Sequence, residues 1–591
     1  MQRLVPVQGR LLAVASAAAS CFAFPTVASA VDGSRYHDGV TSTAGVVATE
    51  SPAAARAGRA VLARGGNAID AAAATVFAMT AARPQSCGIG GGGYLVYRSP
   101  DGKVRALDFR ETAPAAFKVD SLVPPGLHKR FTGHLTVGVP GTLAGMSAAL
   151  ARFGTISLPA ALAPAEKLAR QGVRVTTSLS GAMARRRNDI VIFRAAGGIY
   201  LKNGQPYAPG DVLVNADLAR TFRIIMRHGI GAFYGGPIAR LIVRDMRAPR
   251  PDTKDPGLLT VKDFKAYKPI WRVPLHGTYR GRDVYAMPPS SSGGTTMLEM
   301  LNILEGYDLR GMGEGSAQAI TAIAEAQKIA WADRGAYLAD PAYERQPTAQ
   351  LLSKDYAAAR RGEIDLNKAG AFTPGVFPAG PTALGAGQDF NAHGSTTHVS
   401  VVDAKGGAVA VTCTIEQEFG SAVVAPGTGF LLNNELTDFS APGTANEPAP
   451  GKRPRSSINP TVVVASGKPV LVAGAAGGST IIMGPTLAVI DTVDFGMTLP
   501  QAVDAERFDD QGANKLSIED ARIAPGVLAR LTAEGYTLSP QGEYGVVPRM
   551  QLAGLAPGPA GLATAVSDSR SDRGSLAVPA SAPAPARPPV R

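Results

Sequence analysis

The feature that most constrains this chain is an abrupt change of texture around residue 395. Residues 368–395, KAGAFTPGVFPAGPTALGAGQDFNAHGS, are rich in Gly, Pro and Ala and have no periodicity that could bury one face. They read as a flexible segment. Directly after it, Thr397–Asp403 and Ala408–Ile415 read as strands joined by a Lys405-Gly406-Gly407 turn. A similar pair follows at Thr461–Ala465 and Val470–Ala473. Before the break, helix signals dominate. Ser51-Pro52 reads as an N-cap with proline at the first helical position, opening an Ala-rich helix to about Arg64. Gly65-Gly66 stops it, and Asn67 caps a second helix running to about Ala82. Further helices are predicted over 158–171, 296–304 and 317–339, and helical patterns return after Ser479. Strands flanked by helices, without a βαβ rhythm, predict a layered α+β core.

Composition narrows the function. Hydrophobic residues make up 45% of the 591, which excludes global disorder, although length alone would suggest roughly three to four domains. Three cysteines exclude a disulfide scaffold, and the 7 His and 3 Cys show no zinc-ligand spacing, so no zinc site is expected. The formal net charge is +12, but the basic residues are scattered and lie in excess only before Thr396. No nucleic-acid partner is expected from that pattern.

Residues 1–30 read as an export signal: Arg3 and Arg10, an apolar run from Leu11 to Phe24, then Ala28-Ser29-Ala30. The run falls short of the ~20 residues that span a bilayer. A lipoprotein site at Cys21 is disfavoured by Ala18, where Leu is usual. The mature chain is therefore expected to begin at Val31, in the periplasm or secreted, with no membrane span. Cys87 and Cys413 are its two cysteines, and the sequence leaves open whether they pair. Val578–Arg591 reads as a disordered Pro/Ala tail.

Gly88-Ile89-Gly90-Gly91-Gly92-Gly93 satisfies G-x-G-x-x-G, but a helix precedes it and a strand, Tyr94–Arg98, follows. A dinucleotide fingerprint needs the opposite order. Glycines this dense instead imply a backbone that something approaches closely. There is no G-x-S-x-G elbow and no H-E-x-x-H, and Arg185-Arg186-Arg187 reads as solvated surface. What stands out is His393-Gly394-Ser395-Thr396-Thr397-His398, where the polar segment meets a strand. If the bond between Ser395 and Thr396 were cut, Thr396 would supply a hydroxyl nucleophile and its own α-amine as base. An α-amine titrates near ~8, suited to proton abstraction close to neutrality.

Long ordered motifs then carry a resemblance across nearly all of the mature chain. They are GGNAIDAAAA at 66–75, PQSCGIGGGGYLVYR at 84–98, LDFRETAPAA at 107–116, STTHVSVVDAKGGAVAVTCTIEQEFGS, FLLNNELTDFS, GKRPRSSINPTVVV and AGAAGGS. The sequence resembles the γ-glutamyltransferase (γ-glutamyltranspeptidase) family of N-terminal-nucleophile hydrolases. The resemblance implies a four-layer αββα sandwich and a precursor that cleaves itself into a large subunit, 31–395, and a small catalytic one, 396–591, which form a heterodimer. It also implies that Thr396 both performs the cleavage and is the catalytic nucleophile, with Thr414 bonded to its hydroxyl. Arg110, Ser456 and Ser457 would hold the substrate α-carboxylate. Glu435 and Asp438 would accept from the α-ammonium, and the Gly477 and Gly478 amides would stabilise the oxyanion. Read singly, Arg110 would suit an ion pair with Asp108 or Glu111, the serines a turn and the glycines a tight bend.

Three departures bear on substrate. Glu416 stands where many relatives have Asn, which puts three carboxylates around one ammonium and should raise at least one pKa. Only the short segment Ala441–Arg455 separates Asp438 from Ser456, so the cleft is expected to lack a covering lid. The family also includes cephalosporin and glutaryl acylases. A glutaryl group lacks the ammonium that three acids would serve. The expected function is therefore a γ-glutamyltransferase/glutathione hydrolase, passing the acyl group to water, an amino acid or a peptide, and the resemblance implies no metal or organic cofactor. The alternatives are a β-lactam side-chain acylase and an uncleaved periplasmic binding protein.

Overall fold

The computed structural model describes residues 39–121, 131–248, 256–377, 383–384, 395–556, 561–572 and 574–579. The expected export signal, His393 and Gly394 of the junction, and the tail from residue 580 lie outside the described residues. Val578, where the tail was expected to begin, is buried, and its N–H donates to the Gly45 carbonyl at 2.9 Å.

Fourteen strands form two antiparallel seven-stranded sheets. In chain order they are β1 (Val40–Ser42), β2 (Gly45–Thr49), β3 (Gly92–Arg98), β4 (Val104–Asp108), β5 (Ile270–Arg272), β6 (Leu275–Tyr279) and β7 (Arg282–Ala286). Then come β8 (Thr396–Asp403), β9 (Ala408–Thr414), β10 (Thr461–Ala465), β11 (Lys468–Ala476), β12 (Arg549–Leu555), β13 (Ala563–Ser567) and β14 (Leu576–Ala577). One sheet runs β14-β2-β8-β9-β3-β4-β5 and the other β1-β13-β12-β11-β10-β7-β6.

Side-chain alternation stacks these sheets. In β8, Val399 and Val401 join the core on one side, while Val402 joins the core on the other. On the inner side, the His398 ring bonds Thr412 Oγ1 at 2.6 Å and Ser400 Oγ at 3.0 Å. Ser400 Oγ in turn meets the carbonyls of Val472 and Gln551 in the second sheet, at 3.1 and 2.9 Å. Burial away from solvent pushes the His398 pKa down to about 3, so this link is an uncharged hydrogen-bond chain.

Helices α1 (Pro52–Leu62), α2 (Ala68–Ala82), α3 (Leu158–Gln171) and α4 (Ala216–His228) share a core with the outer face of the first sheet. Helices α5 (Gly293–Leu304), α6 (Ala317–Tyr337) and α7 (Met483–Val493) share a core with the second. The result is the αββα sandwich. Helix starts follow their caps: Ser51 accepts from the Ala54 amide, and Asn67 forms a reciprocal capping box with Asp70. Residues from the expected flexible segment lie against α6, where the Gly375 amide donates to Asp333 and its carbonyl accepts from Tyr337 Oη.

The structure differs from the sequence reading beyond Ser479, where β12 and β13 follow α7. These strands sit inside the second sheet, buried along nearly their whole length. Their sequences, RMQLAGL and ATAVS, are rich in Ala and Gly, which form strands weakly and give little β-branched signal.

Cys87 and Cys413 are joined by a disulfide, with Cα atoms 5.5 Å apart. The glycine-rich turn between Cys87 and β3 is explained by the same strand. A Cβ on Gly91 would fall 1.9 Å from the Thr414 carbonyl oxygen, so the close approach is to β9 and not to a phosphate. We expect Gly91→Ala to destabilise the protein by roughly 1–3 kcal/mol, or to prevent soluble folding, in urea melts. Gly198→Ala, where nothing lies within 4 Å, should be neutral or slightly stabilising. Equal stability of the two variants would contradict this packing.

Candidate active site

The β8–β9 register sets Thr396 opposite Thr414. Thr396 Oγ1 donates to Thr414 Oγ1 at 3.1 Å, and the Glu416 amide donates to the same oxygen at 2.8 Å. Thr414 Oγ1 then donates to the Ser395 carbonyl at 3.3 Å. A hydroxyl that accepts two bonds and donates one is fully used, so its single proton is directed at the Ser395 carbonyl. Ser395 is held on its other side. Its amide donates to the Glu416 carbonyl at 2.5 Å, and its hydroxyl meets that of Ser86 at 2.8 Å.

One pocket gathers Thr396, Glu416, Asp438, Ser456, Ser457 and Gly478, together with Arg455. Ser456 Oγ accepts from the Ile458 amide at 3.1 Å, and Ser457 Oγ accepts from Arg334 Nη2 at 2.9 Å. Gly477 and Gly478 leave β11 with φ of 151° and 66°, a turn that side chains resist, and Gly478 opens a short 3₁₀ turn, Gly478–Ile482. Glu416, two residues beyond the end of β9, also has a positive φ, 76°, a strained backbone for a residue with a side chain.

Arg110 lies behind the pocket, fully buried. Its Nη1 donates to Glu435 and its Nη2 to Asp438, while Nε and Nη2 reach the Pro454 and Arg455 carbonyls at 3.2 and 3.3 Å. The local-ion-pair reading of Arg110 is only marginally met: Glu111 is 4.0 Å away, and Asp108 receives the Arg110 backbone amide. The acids outnumber this cation. Glu416, Glu435 and Asp438 bring carboxylate oxygens within 4.8 Å of one another, and Arg110 already provides the positive charge among them. Burial, then Asp438 and Glu435, pushes the Glu416 pKa well above the usual carboxylate range. Burial also raises Glu435 to about 7, against the lowering effect of Arg110.

Three further groups escaped sequence reasoning. Glu111 adds a fourth acid, its pKa raised by burial and then by Glu435. Arg455 reaches the pocket wall while donating to the Arg334 carbonyl at 2.9 Å. Ser86 bonds the residue before Thr396. Glu111 and Arg455 directly follow Arg110 and precede Ser456, so sequence adjacency was the signal available for them. Ser86 gave none.

The proton on Glu435 has a consequence for stability. In the fold it is kept up to about pH 7, whereas the unfolded side chain releases it near 4.5. The folded state therefore binds the extra proton between those values, and stability declines as pH rises across them. Urea midpoints should reveal this decline between about pH 5 and 8, with a shallower slope in Glu435→Gln. Equal slopes would contradict the raised pKa.

Comparison with known proteins places this arrangement in context. Residues 54–578 match the family model described as "Gamma-glutamyltranspeptidase". The chain is 38% identical over 585 residues to a protein named glutathione hydrolase proenzyme from Escherichia coli (strain K12), covering 95% of this chain and 97% of that one. It is 40% identical over 485 residues to a glutathione hydrolase proenzyme from Pseudomonas sp. (strain A14), covering 79% and 81%. The solved structure of a cephalosporin acylase from Bacillus halodurans superposes with a TM-score of 0.81 at 28% identity, covering 91% of this chain and 97% of that one. By family match, by identity over most of its length and by fold, the chain belongs to the γ-glutamyltranspeptidase family.

Proposed function

We propose that the protein is a self-processing γ-glutamyltransferase/glutathione hydrolase, exported from the cytoplasm, with Thr396 as its nucleophile. The observation that carries the reading is the hydroxyl chain from Thr396 through Thr414 to the Ser395 carbonyl. In the precursor, Thr396 Oγ1 attacks the Ser395 carbonyl carbon. Thr414 takes up the Thr396 proton as it delivers its own toward the carbonyl oxygen. The C–N bond then breaks, the acyl group passes to the Thr396 oxygen as an ester, and the α-amine takes the proton. Water hydrolyses the ester, leaving a Ser395 carboxylate and a free Thr396 amine.

Turnover repeats this chemistry on the substrate. The Thr396 amine accepts the hydroxyl proton, Oγ1 attacks the γ-carbonyl, and amides at Gly477–Gly478 stabilise the oxyanion. One such donor is worth ~3 kcal/mol elsewhere. The leaving amine departs protonated, and water or an acceptor amine resolves the γ-glutamyl ester. The α-ammonium binds Glu416, Glu435 and Asp438. The α-carboxylate binds Ser456, Ser457 and the Arg110 edge that Asp438 gives up when it turns to the ammonium. The reading needs no cofactor from outside the chain.

The acids separate this function from the acylase alternative. A glutaryl group would leave Glu416, Glu435 and Asp438 facing a methylene in a buried pocket, which costs free energy without return. We expect γ-glutamyl anilides to be cleaved at least ~10-fold faster than glutaryl anilides, since one lost charged contact costs about 1.5–3 kcal/mol. Thr396→Ala should abolish both self-cleavage and turnover. A glutaryl preference would overturn the substrate assignment, and residual cleavage in Thr396→Ala would overturn the nucleophile.

A further inference from the structure

The disulfide joins residues on opposite sides of the proposed cleavage point, 326 positions apart in sequence. It also lies at the junction. Cys413 directly precedes Thr414, whose hydroxyl accepts from Thr396 at 3.1 Å. Cys87 directly follows Ser86, whose hydroxyl meets that of Ser395 at 2.8 Å. The two walls that flank the Ser395–Thr396 bond are therefore tied to each other. Both half-cystines are buried, at 1% and 0% exposure.

We propose that this disulfide becomes a covalent link between the two fragments, so that the mature enzyme is one crosslinked molecule and not only a heterodimer held by its core. The proposal rests on the cleavage reading above. Its formation converts two thiols to one disulfide with loss of two protons and two electrons. The electrons pass to a thiol–disulfide oxidant of the compartment outside the cytoplasm, where such bonds persist. Self-cleavage then breaks only the peptide bond and leaves the sulfur–sulfur bond in place.

Burial gives the link a specific advantage here. The proposed substrate is itself a thiol, and a thiolate exchanges with a disulfide only by reaching one of its sulfurs. With both half-cystines inside the core, the enzyme can turn over a thiol without severing its own fragments. The link also keeps refolding unimolecular, whereas two separate fragments must find each other at a rate set by concentration.

The test uses the purified processed protein, with thiols blocked by alkylation before denaturing electrophoresis. Without reductant it should run as one species of full mature mass, and with a dithiol reductant as two fragments. Cys413→Ala and Cys87→Ala/Cys413→Ala should give two fragments in both lanes. After urea denaturation without reductant, recovered activity should be independent of protein concentration over about 100-fold dilution in the wild type. It should fall with dilution in the double variant. Two bands from the wild type in both lanes overturn the crosslink and leave cleavage standing. One band in both lanes overturns the cleavage reading and the interfragment link with it. If the variants fail to fold, the two wild-type lanes decide alone.

Discussion

The antiparallel pairing of Thr396–Asp403 with Ala408–Thr414 is the interaction on which the rest depends. Its register puts two threonine hydroxyls in contact at the strand ends, and a slip of one residue would leave them on opposite faces. Both neighbours are β-strands from the first hundred residues of the chain, β2 against β8 and β3 against β9. The pair is therefore central in its sheet and cannot slide at an edge. The inner polar chain through His398 and Ser400 fixes the same strand against the second sheet. Precise placement of the proposed nucleophile, Thr396, is a property of the core, not of a loop.

The acid cluster around Arg110 works by a different principle. Four acids and one fully buried arginine form a network in which ionising every carboxylate would be costly, so Glu416, Glu435 and Glu111 hold their protons to higher pH. A zwitterionic substrate end suits such a site because it brings one charge of each sign. In the proposed complex its ammonium would let the carboxylates ionise, and its carboxylate would compensate Arg110 for the share of Asp438 it loses. Recognition and protonation are thereby coupled in the proposed reaction.

Much of this was legible before the structure. The paired strands after residue 395 alternate cleanly, and the caps at Ser51 and Asn67 are local hydrogen-bond devices, so neither depends on distant partners. The family motifs carried Thr396, Glu416, Asp438, Ser456, Ser457 and Gly478, which the fold brings to one pocket. Strands β12 and β13 were harder to read because Ala and Gly, which form strands weakly, dilute their β-branched signal; burial on both faces is shared by β8 and β9. The direct pairing of Arg110 with Glu435 and Asp438 was equally hidden, since it spans more than three hundred residues and the sequence reading assigned both sides to substrate. The disulfide stood open for the same reason: Cα proximity across the sheet is a tertiary fact.

The central claim, that Thr396 carries the acyl group, can be read directly by mass. Enzyme mixed with a γ-glutamyl anilide and quenched in acid during steady turnover should contain a covalent adduct of one γ-glutamyl group. After proteolysis, that adduct should map as an ester to Thr396 at the amino end of its fragment. An adduct on any other residue, or turnover that proceeds with no adduct on Thr396 under conditions that preserve esters, would contradict the account.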